Sequence, residues 1–404
     1  MDATIDRDLR VVLGVQALRA FAYGFGSVIL GSSLARAGLS GLEVGLLFAS
    51  MLAGSAFASI AIGLVGERVG RRRAYTLLLA TMGLAGAAFA LTDRLPVLVL
   101  AALTGTLSTD PNESGPITSL EQAMIGGAPA SARARVFGRY NAVAYLVGAV
   151  GALAAGGPAA LRELVPGLPP DRRWLLLFPV AALAAVLLAR RLSPSVEAGD
   201  RRLGRPLARS RPIVVRLAAL FGLDAFAGGF VVTTFVVFWF ERRFGVDAAT
   251  MGLVVFGTGV LQAGSSVAAG RLAGRIGMLN TMVITHLPSN ALLALVPAMP
   301  SFGWAVAMLL LRHTLSQMDV PARQAYVVTL VDPSERTAAA AFTNTVRYVT
   351  RPFGAAGAGA LVQVAAGAPF VAAGALKCIY DLILFRTFRG VPLPEESPTP
   401  PPPA

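Results

Sequence analysis

Two segments of this chain are related by an internal duplication, which limits the folds open to it. Leu18–Phe25 returns in degenerate form as Leu223–Phe230, and the glycine-rich segment Gly63–Arg71 returns as Gly270–Met278. Each copy lies in a long hydrophobic stretch, and a polar segment separates the two stretches. Two homologous hydrophobic halves predict a pseudo-symmetric membrane protein whose substrate site lies where the halves meet.

The composition is that of an all-α integral membrane protein. Charged residues make up 14% of the chain, hydrophobic residues make up 55%, and the mean hydropathy is +0.66. A soluble domain would carry about a quarter charged residues. We therefore predict twelve transmembrane helices in two six-helix bundles. Their approximate ranges are 11–35, 43–63, 74–92, 96–126, 136–158, 174–190, 213–240, 250–270, 279–298, 303–330, 338–364 and 369–387.

The arginines predict how the chain is oriented. Twenty of them fall in the termini, the central linker and one set of alternate loops, whereas seven fall in the opposite loops. Because basic residues are enriched in cytoplasmic loops, we expect a multi-pass cell-membrane protein with both termini in the cytoplasm. The net charge of +13 then reflects topology. A nucleic-acid partner is not expected, because no soluble domain carries a basic face.

The polar stretches divide the chain into four parts. We predict one six-helix bundle over 1–192, a cytoplasmic linker over 193–211, a second bundle over 212–390 and a disordered, proline-rich tail over 391–404. Cys378 is the only cysteine, so we expect no disulfide within the chain and no metal site or cofactor. We expect the protein to function as a monomer in the lipid bilayer.

The segment Gly63–Arg72 resembles the loop between helices 2 and 3 of the major facilitator superfamily. The pattern of that loop is Gly-x-x-x-(Asp/Glu)-Arg-x-Gly-Arg-(Lys/Arg), and every specified position is matched. The resemblance extends over almost the whole chain and implies the fold of that family, with two six-helix bundles that alternate access to a central site. It does not imply a particular substrate.

The same resemblance implies a gating role for this loop. In the family, the acid and the later arginine of the motif hold the cytoplasmic side closed, a role that falls here on Glu67 and Arg71. Glu121 is a candidate partner for Arg71. The alternative is that the loop only anchors the topology. The candidate gating residues are Gly63, Glu67, Arg68, Gly70, Arg71, Glu121 and Arg323.

Ionisable residues are concentrated in predicted spans 1, 4, 7 and 10. Charged groups in hydrocarbon are costly and usually face a cavity or a partner. Helical spacing places those of span 4 on one face and those of span 10 on one face. In the resembled family these four spans line the central cavity. The candidate substrate and proton pathway consists of Arg19, Asp110, Glu113, Asp224, Arg312, Asp319 and Arg351.

The duplication pairs these charges in an unusual way. Arg19 corresponds to Asp224, and Glu121 corresponds to Arg323, so the sign is inverted at both positions. We expect Arg19 and Asp224 to form an ion pair between the halves, either as a coupling element or simply to neutralise buried charge. In the last span, Lys377 and Asp381 have the i, i+4 spacing of a self-neutralising pair.

The function that these features favour is secondary transport of a small organic solute rather than catalysis. Acids in spans 4 and 7 suit proton carriage or a cationic substrate, whereas the arginines suit an anion. We expect proton-coupled export of a drug or metabolite. The alternative is proton-coupled uptake of an organic anion. A non-transporting receptor and a membrane enzyme are further alternatives, but the chain shows no recognisable catalytic motif.

Overall fold

The computed structural model describes residues 3–108, 110, 115–125, 130–169, 171–197, 207–332 and 335–391. Side chains at 3–6, 65–67, 130–135, 171, 328 and 337 lie outside this description. The described residues form sixteen α-helices and no β-strand, which confirms the all-α membrane fold. The first half contains α1 (Ala3–Arg36), α2 (Gly41–Val69), α3 (Arg71–Leu91), α4 (Leu95–Leu103), α5 (Pro116–Ile125), α6 (Ala130–Ala154), α7 (Gly157–Leu164) and α8 (Leu177–Ala189). The second half contains α9 (Arg211–Gly229), α10 (Thr233–Phe244), α11 (Ala248–Ile276), α12 (Met278–Leu295), α13 (Phe302–His313), α14 (Asp319–Leu330), α15 (Arg336–Val364) and α16 (Ala368–Phe388).

The number of membrane spans depends on how interrupted helices are counted. In the described part of the chain, nine helical stretches are long and apolar enough to cross a membrane, and α9 with α10 counts as one of them. The other three predicted spans correspond to α4 with α5, α13 with α14, and α15. Twelve spans therefore result only when each interrupted pair is counted as one.

Two of these interruptions are explained by proline. Proline lacks a backbone N–H and fits an α-helix only in its first turn. Pro116 is the first residue of α5, and Pro321 lies in the first turn of α14. The second helix of each pair therefore begins close to its proline, and irregular backbone is left next to the charged residues of spans 4 and 10.

Glycines reproduce the internal duplication in three dimensions. Gly70 precedes α3 with φ 90°, and its counterpart Gly277 precedes α12 with φ 85°. A Cβ atom at Gly151 would stand 2.1 Å from the carbonyl oxygen of Phe21, which brings α6 against α1. A Cβ atom at Gly354 would stand 1.9 Å from the carbonyl oxygen of Phe226, which brings α15 against α9. Each half thus uses glycine for the same close helix contact.

The two halves meet on the side of the molecule opposite to the termini, which we call the far side. Gly45 of α2 approaches Gly359 of α15 so closely that a Cβ on Gly45 would stand 2.6 Å from the partner Cα. On the same side, Arg36 Nε lies 2.6 Å from Glu241 Oε1, and Arg242 donates to the carbonyl oxygen of Leu39. The far side is therefore closed between the halves.

The side that carries the termini, which we call the terminal side, has open space beside several glycines. A Cβ atom added at any of five positions would find no heavy atom within 4 Å. These positions are Gly63, Gly138, Gly264, Gly270 and Gly274. Close glycine contacts between the two halves, at Gly31, Gly41, Gly45 and Gly252, lie toward the far side, which is therefore the more tightly closed side of the molecule.

Two carboxylates tie loops of the terminal side to helix starts. Glu197 accepts hydrogen bonds from the backbone N–H groups of Arg71 and Arg72 at the start of α3. Glu335 accepts from the backbone N–H groups of residues 208–210, just before α9. The hydrogen bond from the Ser210 N–H is the main cause that lowers the pKa of Glu335 below its ordinary value.

Candidate functional site

Arg19 is the centre of a buried polar cluster in the first half. Its Nη2 atom lies 2.5 Å from Glu121 Oε2, and both side chains are almost fully buried, with 3% and 0% exposed. The guanidinium also donates to Thr118, Tyr140 and Gln16. We call these residues, together with Tyr75, the Arg19 cluster.

Two tyrosines complete the environment of Glu121. Tyr75 donates to Glu121 Oε1 at 2.7 Å, and Tyr140 donates to Oε2 at 2.5 Å. Glu121 thus receives hydrogen bonds from α1, α3 and α6 on both carboxylate oxygens. A buried ion pair needs such additional hydrogen bonds to offset the cost of desolvation. The cluster therefore fixes four helices of the first half to one another.

Asp224 is the centre of the corresponding cluster in the second half. Its Oδ2 atom lies 3.1 Å from Arg323 Nη1, and its Oδ1 atom lies 2.5 Å from Lys377 Nζ. Arg323 also lies 3.2 Å from Asp319, four residues earlier on α14. Arg347 interacts electrostatically with Asp224, Asp319 and Arg323. We call these five residues, with Tyr380, the Asp224 cluster.

The predicted ion pair between Arg19 and Asp224 is wrong. Each residue is paired inside its own half, Arg19 with Glu121 and Asp224 with Arg323 and Lys377. The physical reason is that α5 and α14 bring the second, oppositely charged member of each half next to the first. The inverted signs therefore describe two separate ion pairs related by the duplication.

The predicted pairing of Lys377 with Asp381 is also wrong. Lys377 reaches Asp224, whereas Asp381 is hydrogen-bonded to His286 Nδ1 at 2.8 Å and to Asn290 at 3.0 Å. Partners on α9 and α12 are available to both side chains, because α16 packs against these helices. The i, i+4 spacing alone does not decide the pairing.

Asp110, like Glu241 of the far side, is an acid that connects the two halves. It forms an ion pair with Arg351 of α15, and its Oδ1 atom accepts from the backbone N–H of Thr233 at 2.7 Å. Both charged side chains are partly exposed, at 28% for Arg351 and 21% for Asp110. The structure thus brings together two of the predicted pathway residues, one from each half.

A cavity of about 50 Å³ lies between the halves next to Arg312. Tyr145 and Ala149 line it from the first half, and the second half supplies its other walls. The Nε atom of Arg312 is buried and has no hydrogen-bond partner among the described residues. No carboxylate in the described part of the chain forms an ion pair with Arg312.

Neutral polar side chains line the same cavity or lie next to it. Gln262 Nε2 lies 3.0 Å from His313 Nδ1, and Ser316 Oγ lies 3.1 Å from the same nitrogen. When Gln262 donates to Nδ1, a neutral His313 carries its proton on Nε2 and can donate from there. Tyr145 contributes a hydroxyl that lies 3.4 Å from Gln317 across the two halves. The cavity therefore offers one guanidinium and several neutral polar groups to a solute.

A second cavity, of about 480 Å³, lies in the first half on the far side. Four arginines and one acid line it, together with apolar side chains. The charged lining residues are Arg36, Arg162, Arg172, Arg173 and Asp93. Arg172 forms an ion pair with Asp93. The lining still has an excess of positive charge.

The predicted gating residues are only partly described. Arg71 donates to the carbonyl oxygens of Ala123 and Val196, while Glu121 belongs to the Arg19 cluster. The expected contact between Arg71 and Glu121 is thus replaced by one between Arg19 and Glu121. Arg68 is exposed. The side chain of Glu67, and the predicted pathway residue Glu113, lie outside the described residues.

Comparison with known proteins identifies the family. The family model described as Major Facilitator Superfamily matches residues 12–355, and the chain belongs to this family. A relative in Saccharomyces cerevisiae, an uncharacterized membrane protein, is 23% identical over 424 residues, covering 95% of each protein. The resemblance inferred from Gly63–Arg72 is confirmed.

Solved transporters have the same fold. A bacterial homologue of the human lysosomal transporter Spinster, in an inward-facing conformation, matches with a TM-score of 0.69 and 14% identity over 96% of this chain and 98% of that one. A mutant of the nucleoside transporter NupG gives 0.71 and 12% identity, over 94% and 99%. The xylose transporter XylE of E. coli gives 0.68 and 14% identity, over 96% and 99%. At these identities the likeness concerns the fold, and the protein is a membrane transporter of this type.

Several functional candidates are absent from the predicted pathway and gating residues. His286, Asn290 and Asp381 form one group, and Gln262 with Tyr145 forms another. The signal for the first group is present in the sequence, since ionisable residues inside a span are rarely placed without a role. No comparable signal marks Gln262 or Tyr145, because neutral polar residues occur throughout membrane helices.

Proposed function

We propose that the protein is an alternating-access secondary transporter that carries a small organic anion, coupled to protons, through the cavity at Arg312. The observation that carries this proposal is the buried Nε atom of Arg312, which has no partner among the described residues. A buried charge without a counter-ion is costly. A carboxylate or phosphate group in the cavity would supply the missing counter-ion through charge-assisted hydrogen bonds.

The state of the other charges supports an anion over a cation. Glu121, Asp224 and Asp319 each have a cationic partner in their own half. Asp110 is paired with Arg351. A cationic solute would have to break one of these ion pairs, whereas an anion meets an arginine whose charge is not neutralised by a described carboxylate.

The arginine-rich cavity of the far side supports the same sign of charge. Its excess of positive charge would raise the local concentration of anions near the far-side entrance. Arg36 is also part of the closed far side through its ion pair with Glu241. We infer that the ion pair of Arg36 with Glu241 breaks when the far side opens. Arg36 would then take part both in the entrance for anions and in the closure of the far side.

The alternating-access cycle follows from the closed far side and the more open terminal side. We infer that the described conformation is open toward the terminal side, which the distribution of arginines assigns to the cytoplasm of the cell. The two halves would then rock about the central cavity, as the two bundles of transporters with this architecture do. The same proposal includes function as a monomer and gating by the Gly63–Arg72 loop. It also includes domain limits at 1–192, 193–211, 212–390 and 391–404.

Export of a cationic drug or metabolite is a second candidate, favoured by the position of Asp110. This acid lies at the contact between the halves and is partly exposed. A cation could displace Arg351 from it. Replacing Asp110 with asparagine separates the two candidates, because it removes a cation site and leaves Arg312 unchanged.

The test is a thermal-shift screen of the full-length protein in detergent. Acetate, lactate, succinate and benzoate are compared with tetraethylammonium and tetraphenylphosphonium. A solute that binds the folded state alone raises the unfolding midpoint by mass action. We expect stabilisation by at least one carboxylate, lost in Arg312→Gln and retained in Arg139→Gln, which alters an exposed arginine. Stabilisation by the cations alone, lost in Asp110→Asn, would replace this proposal with the second candidate.

A further inference from the structure

His286 and Asp381 form a buried pair that the anion site does not use. His286 Nδ1 lies 2.8 Å from Asp381 Oδ1, between α12 and α16. The imidazole is 7% exposed and the carboxyl group is 1% exposed. Ionisable groups at such a depth in a membrane protein commonly mark proton or ion pathways.

The geometry requires a proton between these two groups. Two acceptor atoms do not approach to 2.8 Å unless one of them carries a hydrogen. Asn290 Nδ2 donates to Asp381 Oδ2 at 3.0 Å, and it also lies 3.1 Å from His286 Nδ1, which can accept only when that nitrogen carries no proton. The proton can therefore reside on the imidazole or on the carboxyl group, and the bond from the amide to Asp381 Oδ2 is available in both arrangements.

Charged groups from α9, α14, α15 and α16 lie around His286 and the neighbouring Asp224. The carboxylates are Asp224 of α9, Asp319 of α14 and Asp381 of α16, and the fixed cations are Arg323 of α14, Arg347 of α15 and Lys377 of α16. The ring of Tyr380 packs edge-to-face against the imidazole of His286, with ring centroids 5.9 Å apart. The Cys378 thiol donates to the Leu287 carbonyl oxygen. From α13, the carbonyl oxygen of Arg312 accepts from Ser289. The arginines of α11, Arg271 and Arg275, lie near its terminal-side end.

With a neutral imidazole, the three carboxylates and three cations of this list balance. One further proton would give the group a net positive charge. That charge would sit beside Asp224, because His286 Nε2 lies 3.9 Å from Asp224 Oδ1. A third cation would then compete with Lys377 and Arg323 for the same carboxylate.

The first half has no equivalent of this pair. The duplication aligns Gly70 with Gly277, and the same offset aligns Leu79 of α3 with His286 of α12. Leu79 is fully buried in the apolar core. Both halves therefore contain an ion pair at the duplicated positions, but only the second half adds an imidazole to it.

We propose that His286 and Asp381 bind the coupling proton of the transport cycle. The positive charge gained by His286 would weaken the ion pair between Asp224 and Arg323 and so transmit proton binding to Arg323. The proposal rests on the function proposed above and identifies the coupling site. Arg323 lies on α14, which continues the same interrupted span as α13, and α13 ends next to Arg312. Weakening the ion pair of Asp224 with Arg323 would thus shift the helix pair that carries the anion site, and proton binding and anion binding would favour each other.

A direct test needs no solute. The chain contains two histidines, so nitrogen-15 labelling of histidine gives two imidazoles, and His313→Gln assigns them. We expect the His286 signals to change with pH in one step between about pH 5 and pH 9. We expect the midpoint of that step to move by at least about one pH unit in Asp381→Asn.

The same titration can overturn the proposal. A sealed structural pair exchanges no proton, so His286 signals that stay constant over this pH range contradict it. A midpoint that is the same in wild type and in a folded Asp381→Asn variant also contradicts it, because the carboxyl group would then take no part in binding the proton.

A flux assay separates the coupling site from the transport function. Proteoliposomes containing wild type, His286→Gln or Thr285→Val are tested with carbon-14 lactate, once for exchange at equal pH and once for accumulation driven by a pH gradient. Thr285 is a buried control on the same helix whose hydroxyl donates to the Thr281 carbonyl oxygen. We expect His286→Gln to lose at least about tenfold in accumulation while exchange stays within about twofold, and Thr285→Val to retain both.

The outcomes distinguish the two proposals. Wild type that does not exchange lactate counts against lactate transport, and the histidine titration then decides the proton site alone. Wild type that exchanges lactate, with undiminished pH-driven accumulation in His286→Gln, contradicts the coupling role of His286.

Discussion

Glu121 Oε2 lies 2.5 Å from Arg19 Nη2, so the first half neutralises its own buried charge. At the duplicated positions of the second half, Arg323 Nη1 lies 3.1 Å from Asp224 Oδ2. The same two positions therefore hold an ion pair in both halves, with the signs exchanged. Because each pair is closed within its half, the halves remain free to move relative to each other without separating these charges.

The exchanged signs predict that the first ion pair can be reversed. Arg19→Asp or Glu121→Arg alone leaves like charges buried together and should cost about 3–5 kcal/mol in the free energy of unfolding. The double variant restores opposite charges in the arrangement of the second half. We expect it to recover about half of the summed loss, with the rest lost because Tyr75 and Tyr140 then face an arginine.

Thermal unfolding of the two single variants and the double variant in detergent measures this coupling. Losses in the double variant that equal the sum of the single losses would contradict the prediction.

Gly359 predicts how the far side closes. A Cβ atom on Gly359 would stand 2.7 Å from the Gly41 carbonyl oxygen, so Gly359→Leu should hold α15 away from α2. Val237 is fully buried and packs against Gly31 of α1 on the same side. In a Cys378→Ser background, we expect Val237→Cys to resist maleimide labelling and to become reactive when Gly359→Leu is added.

Gly138→Leu provides the matched control for this labelling, since nothing lies within 4 Å of a Cβ at Gly138. Protection of Val237→Cys that is unchanged by Gly359→Leu would show that the α2–α15 contact does not control the far side.

Glu335 predicts a pH dependence of stability. Its pKa is lowered, chiefly by the hydrogen bond from the Ser210 backbone N–H, from an ordinary value of 4.5. A carboxylate with a lowered folded-state pKa contributes stability above its unfolded pKa and loses it as the pH falls through the folded pKa. The unfolding midpoint of wild type should therefore exceed that of Glu335→Gln near neutral pH, and the difference should shrink as the pH falls below 4.5.

Thermal unfolding of both proteins across this range measures the difference directly. A difference that does not change with pH would mean that the ionised carboxylate is not what holds residues 208–210.

The fold could be predicted from the sequence for physical reasons. The pattern of Gly63–Arg72 indicates structure because Gly70 needs a positive φ before α3 and because arginines anchor a loop at the membrane surface. The duplication, the hydrophobic runs and this loop all indicate the same architecture. Helix interruptions could be foreseen at Pro116 and Pro321, since proline restricts where a helix can begin.

The pairing of charges could not be predicted in the same way. The sequence gives the depth of Arg19 and Asp224 in their spans, but not which neighbouring helix faces each of them. Packing between neighbouring helices pairs Arg19 with Glu121 and Asp224 with Arg323. It also pairs Lys377 with Asp224 instead of Asp381. His286 shows the same limit, because its partners lie on α9 and α16, about sixty and ninety-five residues away in the chain.

The most direct test of the anion site is counterflow of carbon-14 acetate, lactate, succinate and benzoate into proteoliposomes preloaded with the same unlabelled anion. Equal pH on both sides removes any proton driving force, so the assay reports movement of the anion through the cavity alone. We expect wild type and Arg139→Gln to exchange at least one of these carboxylates, and Arg312→Gln to lose at least about tenfold in rate. Carboxylate exchange that is undiminished in Arg312→Gln would contradict an anion site at Arg312. Wild type that exchanges tetraethylammonium but none of the carboxylates would contradict it as well.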